Sequence, residues 1–335
     1  MRNRSRTLFM LLGLLLVVLF ALDLMVGSVS ISLSEVWGAL CGSDEVNAAT
    51  TTIVRSIRLT KAAVAVVAGA TLAVSGLEMQ TLFRNPLAGP FVLGISSGAS
   101  LGVALLLIGL PLLGWSGSSA IASIGVAGAA WMGSALILVL IAAVSRRIKD
   151  IMVILILGMM CASGVDAVVQ ILQYMSNESA LKSFVVWTMG SLGDVTGNQL
   201  WLLMGAAAVG LALAVAAIKP LNLLLLGENY ARTMGLSVVR ARRLIFLSTT
   251  LLAGTVTAFC GPIGFIGLAV PHLSRLLFRE ADHRTLLPAS ALTGSCLLLV
   301  CDIVSKWLTL PINTITALMG IPVVVWVVLQ HKNIA

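Results

Sequence analysis

Charge is scarce in this chain of 335 residues: 10% are Asp, Glu, Lys or Arg, against 59% hydrophobic, and the mean hydropathy is +1.06. A water-soluble domain needs a larger polar surface, so the composition calls for lipid as solvent. Histidine is equally sparse. His272, His283 and His331 stand at no metal-ligand spacing from Cys or Asp, so no catalytic metal is expected, and the first two are read as structural or solvated. The chain has no Gly-x-x-x-x-Gly-Lys-Ser/Thr string, whose amides and lysine together cradle phosphates, so it is not its own ATPase. No Gly-x-Ser-x-Gly elbow follows a plausible strand, which argues against a hydrolase. Of the five cysteines, only Cys41 lies in a polar segment; Cys161, Cys260, Cys296 and Cys301 sit in apolar runs and read as small core residues.

What the chain has in abundance is apolar length. A hydrocarbon core about 30 Å thick takes about 20 apolar residues per helix, and such stretches follow one another at roughly 8–22, 61–81, 92–113, 119–144, 151–174, 199–218, 243–260, 263–275, 286–305 and 311–330. The expected fold class is therefore all-α: one polytopic membrane domain, residues 1–335, of about ten spans. The basic start and short apolar core at 8–22 also suit a signal peptide, but no small-x-small site closes the run, so an uncleaved first span is expected. Residues 28–57, holding Glu35, Asp44 and Glu45, read as a polar outer segment. The 263–275 stretch, bracketed by Gly261-Pro262 and Pro271, reads as a partial span inside the bundle or beside a pathway.

Charge patterning gives the orientation. With the N-terminus inside, 16 of the 21 basic residues fall on inner loops, among them Arg2, Arg84, Arg146, Arg147, Lys149, Arg240, Arg275 and Lys332. Both termini are thus expected in the cytoplasm. The net charge of +8 reflects this topology rather than nucleic-acid binding. Trp115, Trp187 and Trp307 fall at outer span ends, where indoles anchor at the headgroups.

Several strings carry a resemblance: Arg58-Leu-Thr-Lys61; the run from Val67 to Gly76; Gln80-Thr-Leu-Phe-Arg-Asn-Pro-Leu-Ala88; Pro90 to Ala99; Leu226-Gly-Glu228 with Met234-Gly235; Gly261 to His272; Asp282 to Pro288; and Leu310 to Pro322. In that order, covering nearly the whole chain, they resemble the FecCD-type permeases, importers of ferric siderophores, heme and cobalamin. The resemblance implies a dimer of ten-span subunits, two cytoplasmic ATPase subunits that carry ATP and Mg, and an external substrate-binding protein. It also implies that spans two to five and seven to ten are repeats of opposite orientation, and that the protein sits in a bacterial inner membrane and carries out no covalent chemistry itself. A homodimer is expected, no cofactor bound by this chain, and an iron chelate as the commonest cargo.

By the same resemblance, Arg58, Lys61 and Lys306 would pair with acidic residues of the binding protein; snorkelling at a helix end is the plainer alternative. The sequence departs from the family at Thr60-Lys61, where Pro-Arg is usual, and at Lys306, where Arg is frequent. Lysine keeps the charge and loses the bidentate fork. Leu226, Gly227, Glu228, Tyr230, Arg232 and Gly235 would contact the ATPase, with Gly235 as a helix stop; a solvated loop is the alternative. Arg84 to Ala88 reads mostly as a turn.

Intramembrane acids are expensive in lipid and must face protein, water or a partner. Asp166 and Gln170 share a face of span five, with Ser163 one turn earlier, in the span that lines the pathway of similar permeases; an interhelical contact is the equal alternative. Asp302 lies four residues before Lys306, which suits an intrahelical ion pair. Asp23 and Glu78, near span ends, are expected to be interfacial or helix-bound. An ion-coupled secondary transporter, using Asp166, Asp302 or the broken helix near Gly261, and a transport-inactive scaffold are the competing functions.

Overall fold

The computed structural model describes residues 2–27, 29–43, 46–113, 119–145, 148 and 150–331. The readings that fall on Asp44, Glu45, Trp115, Arg146, Arg147, Lys149 and Lys332 lie outside these residues. Every regular element among the described residues is helical, as the long apolar runs require, because a backbone in lipid must satisfy its own N–H and C=O groups.

Among the described residues fourteen helices follow one another, besides a short 3-10 turn at Pro90–Leu93. They are α1 (Arg2–Met25), α2 (Leu33–Cys41), α3 (Ala48–Leu82), α4 (Ile95–Leu112), α5 (Ser119–Ser145), α6 (Ile151–Met175) and α7 (Glu178–Thr188). Then come α8 (Gly197–Ala216), α9 (Ile218–Leu225), α10 (Glu228–Thr233), α11 (Val238–Cys260), α12 (Ile266–Phe278), α13 (His283–Leu308) and α14 (Ile312–His331). Seven (α1, α3, α4, α6, α8, α11 and α13) are long and apolar enough to cross a bilayer, and α5, α12 and α14 contain shorter apolar stretches. Together these ten match the expected spans. The remaining four are short helices in connections. Residues 28–57, read as a polar segment, hold α2 and the first turns of α3, which widen to a π-turn over Ile53–Arg58. A capping box starts α2: the Ser32 hydroxyl accepts from the Glu35 N–H, and the Glu35 carboxylate accepts from the Ser32 N–H. The Ser32 hydroxyl also donates to the Glu35 carboxylate (2.7 Å), and that bond first, with the Ser32 N–H second, holds the Glu35 carboxyl below its usual range.

α3 is the axis of the molecule. It packs against α8, α11, α12 and α13, and its apolar stretch is 78% buried, against 11% for α1 and 17% for α6. Lipid tails are as apolar as leucine, so contact between spans depends on close van der Waals fit and interhelical hydrogen bonds. Glycine supplies the fit. A Cβ on Gly69 would lie 2.3 Å from the Gly294 carbonyl oxygen of α13, and one on Gly76 only 1.8 Å from that of Gly267 in α12. Hydroxyls supply the bonds: Ser295 donates to the Val66 carbonyl (2.8 Å), and Ser134 of α5 to that of Ile95 in α4 (3.1 Å).

The packing pattern carries the inverted repeat that the sequence showed poorly. Exchanging α3, α4, α5 and α6 for α11, α12, α13 and α14 maps each neighbouring pair onto another: α3 with α13 onto α11 with α5, α4 with α5 onto α12 with α13, α4 with α6 onto α12 with α14. The connections correspond as well. The chain enters α4 through Gly94 (φ 76°) and α12 through Phe265 (φ 66°), each a left-handed residue that redirects it. Glycine takes this conformation freely; phenylalanine does so only under strain.

Candidate functional site

Three regions hold the residues singled out from the sequence. The first lies where the end of α1, the beginning of α3 and the end of α13 meet. The carboxylate of Asp302 sits 3.0 Å from the Lys61 ammonium and 2.9 Å from that of Lys306, and Lys306 lies 2.8 Å from Asp23. Both carboxylates are buried, the side chain of Lys306 is 9% exposed, and that of Lys61 is 22% exposed. Arg58 joins the cluster from α3. Its guanidinium donates to the carbonyls of Leu24 and Met25, each at 2.8 Å, and to that of Val29. Lys306 also donates to the Asp23 carbonyl (3.0 Å). The last carbonyls of a helix lack intrahelical donors and carry its negative pole, so cations from α3 and α13 close the end of α1.

The structure thus gathers the three cations read as docking residues, but engages Arg58 and Lys306 within the chain. The intrahelical Asp302–Lys306 pair expected from the spacing is present. The reading of Asp23 and Glu78 as interfacial or helix-bound is corrected: both are fully buried between helices. Asp23 binds α13 through Lys306, while Glu78 accepts a hydrogen bond from Thr249 of α11 at 2.8 Å. A buried carboxylate needs a partner from a neighbouring element. An acid and a lysine in separate apolar runs carry that signal in the sequence, but without saying which acid meets which base.

The second region is at the opposite end of the bundle, where α9 and α10 fold into the connection between α8 and α11. Gly227 (φ 101°) breaks the chain between them. Past Thr233 the backbone closes in a Schellman motif: the N–H of Leu236 donates to the Ala231 carbonyl, that of Gly235 to Arg232, and Gly235 has φ 83°. Gly235 is therefore the helix stop read from the sequence. Glu228 pairs with Arg242 of α11 and lies 3.6 Å from Arg232, which ties α10 to the start of α11. On the outer side of this connection Leu226 (62% exposed), Tyr230 (50%) and Met234 (59%) follow at intervals of four residues. Tyr230 and Met234 stand one turn apart and form a short apolar ridge, Leu226 adds an exposed side chain from before the break at Gly227, and Arg232 is exposed as well.

The third region is α6, which packs on α4 and only lightly on α5. Ser163, Asp166 and Gln170 are all exposed on it. The Ser163 hydroxyl donates back to the Met159 carbonyl at 3.1 Å, and among the described residues nothing pairs with Asp166. An ionisable side chain two-thirds of the way along an apolar span, facing outward, has no place in lipid.

Among the other readings, Trp307 is exposed at the end of α13, while Trp187 is half-buried against Phe184. His272 is buried and bonds the Pro86 carbonyl (2.8 Å); His283 is buried between Thr81 (2.8 Å) and Asn222 (2.7 Å). Both are structural, and His283 is not solvated.

Comparison with known proteins agrees with this architecture. The sequence model of the FecCD transport family matches residues 15–330. The hemin transport system permease protein HmuU of Yersinia pestis is 37% identical over 332 residues, spanning 97% of this chain and 96% of that protein. The vitamin B12 import system permease protein BtuC of Citrobacter koseri is 36% identical over 284 residues, 83% of each. A solved inward-facing structure of a metal-chelate-type ABC transporter superposes with a TM-score of 0.83 at 30% identity, covering 98% of this chain and 99% of that one. PsaBC from Streptococcus pneumoniae shares the fold, with a TM-score of 0.57 at 18% identity and 79% of this chain covered. With an all-helical membrane bundle of about ten spans, its internal repeat and a family match over nearly its whole length, this chain belongs to the FecCD transport family.

Proposed function

We propose that this chain is the membrane-spanning permease subunit of a binding-protein-dependent ABC importer that brings an iron chelate, a ferric siderophore before heme or cobalamin, into the cytoplasm. The observation that carries the reading is the match, over 97% and 83% of this chain, to permeases named for hemin and vitamin B12, both large metal chelates. Two subunits face each other, with both termini cytoplasmic. Ser163, Asp166 and Gln170 on α6 face the second subunit and the path between them, which supplies the water or protein surface that an exposed Asp requires. Two separate ATPase subunits bind ATP and Mg and seat against Leu226, Gly227, Glu228, Tyr230, Arg232 and Gly235. The exposed side chains of Leu226, Tyr230 and Met234 offer apolar knobs for a groove on the partner, and the Glu228 pairs pass its movement to α11.

On the outer side an acidic substrate-binding protein docks near Arg58, Lys61 and Lys306. Lys61, the most exposed of the three, meets the partner, while Arg58 and Lys306 hold the helix ends that frame it. Uptake of ferric siderophore, heme and cobalamin into proteoliposomes holding this chain, its ATPase and its binding protein tests the assignment. ATP-dependent accumulation of one of them is the expected result. Uptake by the chain alone, driven by an ion gradient, overturns it.

A further inference from the structure

At the end of the bundle that carries α9 and α10, a cavity of about 290 Å³ opens between the end of α3, the following turn, α9 and α12. Gln80, Arg84, Asn85, Leu225, His272 and Arg275 are among the residues lining it. Two guanidinium groups face this space, and no carboxylate lines it. Arg275 donates to the Gln80 side-chain oxygen at 2.6 Å, and Gln80 in turn donates to the Leu268 carbonyl at 3.0 Å. A guanidinium has five N–H donors, and one neutral acceptor leaves its charge uncompensated. Neither Arg84 nor Arg275 makes an ion pair among the described residues: Glu228 is taken by Arg232 and Arg242, and Asp282 by Asn222 and the first turn of α13.

Arg275 is partly buried, where an unpaired cation is costly and the cost is recovered when an anion arrives, while Arg84 is exposed and adds a solvated charge beside it. Arg84 is itself held at φ 48°, a left-handed conformation unusual for arginine. Its guanidinium lies beside Gly227, with Nη1 3.7 Å from where a Cβ on that residue would stand, so the cavity and the α9–α10 connection are parts of one surface.

We propose that this cavity is a socket for an acidic side chain, an Asp or Glu of the cytoplasmic ATPase subunit, which enters between Arg84 and Arg275. The inference rests on the importer reading above and adds a second, ionic contact to the apolar ridge. Position favours a protein carboxylate over a lipid phosphate: the cavity is built on α3, the most buried of the long spans, and not on the sparsely covered α1, α6 or α8 at the perimeter. A cavity of this size accepts a carboxylate fork, which a guanidinium binds through two parallel hydrogen bonds.

The test measures binding of the purified cognate ATPase to the chain in nanodiscs, at low and high salt, for the wild type, Arg84→Asn and Arg275→Gln. Asparagine tolerates the left-handed backbone, so Arg84→Asn removes the charge while keeping the turn, even if Arg275→Gln proves unable to fold. The expected result is roughly tenfold weaker binding for Arg84→Asn, with a flatter salt dependence, and recovery of Arg84→Glu by one Asp→Arg or Glu→Arg change on the ATPase. Equal binding of wild type and Arg84→Asn overturns the socket and leaves the importer reading intact. Failure of the wild type to bind at all overturns the importer reading instead. Loss of co-purifying phosphatidylglycerol in Arg84→Asn, with ATPase binding unchanged, assigns the cavity to lipid and overturns the socket.

Discussion

Asp302 touches two ammonium groups at once, and its removal therefore does more than delete one pair. In Asp302→Ala, Lys61 turns its partly exposed end to water, while Lys306 keeps Asp23 but loses half of its compensation. Breaking a buried pair costs about 3–5 kcal/mol, and the water open to Lys61 places this loss near about 3 kcal/mol; thermal unfolding in detergent reads it as a lowered midpoint. A milder effect is expected at Asp282, the N-cap of α13, whose carboxylate accepts from the Arg284 N–H at 2.9 Å and from Asn222. The Arg284 backbone hydrogen bond, foremost, holds the Asp282 carboxyl below its usual range. A depressed folded-state value means that the stabilisation is present above the ordinary carboxylate range and is lost as the pH falls through Asp282's own lower value. Asp282→Ala should cost roughly 1 kcal/mol near neutrality, as loss of a cap does. Its midpoint should converge on that of the wild type in acid, and a gap independent of pH would remove the carboxylate from the account.

Among the elements, α3 tolerates least. In Gly76→Ala the new methyl would stand 1.8 Å from a carbonyl oxygen of α12, which is backbone and cannot rotate away, whereas Gly13 of α1 has nothing within 4 Å. Overpacking costs about 1–3 kcal/mol and more when backbone must move, so Gly76→Ala should lose monodispersity in size-exclusion chromatography while Gly13→Ala elutes as the wild type does. The α9–α10 connection behaves in the opposite way. Leu226 and Tyr230 are exposed by half or more, so Leu226→Ser with Tyr230→Ser should leave the unfolding midpoint within about 0.5 kcal/mol of wild type, as surface changes do. Uptake per ATP hydrolysed, measured on one proteoliposome sample, should nonetheless fall. Preserved coupling would move the ATPase contact elsewhere.

The molecule as a whole leaves one long helix unfinished. α6 is sparsely covered and carries Asp166 on its open side, and under the proposed importer reading a second subunit with a water-filled path between the two would supply what a single chain lacks. In the assembled transporter, with the five native cysteines replaced, Asp166→Cys should react with a membrane-impermeant thiol reagent. Val209→Cys, exposed on α8 in an unbroken apolar stretch and expected to meet lipid, should not. Equal protection of both sites would place Asp166 in a dry helix contact.

The membrane class, the spans and the charge asymmetry follow from composition and run length, because the bilayer is a solvent whose thickness and polarity act on any chain in the same way. The Asp302–Lys306 pair was equally legible, since four residues make one helical turn, and so was the stop at Gly235, which depends on local backbone geometry alone. Tertiary structure decided the rest. That Asp23 reaches Lys306, 283 residues away, that Glu78 meets Thr249 and not the interface, and that Arg84 and Arg275 share a cavity are facts about which helices lie side by side. Contacts between spans depend on glycine-sized approaches and single polar bonds, which leave no period in the sequence to announce them.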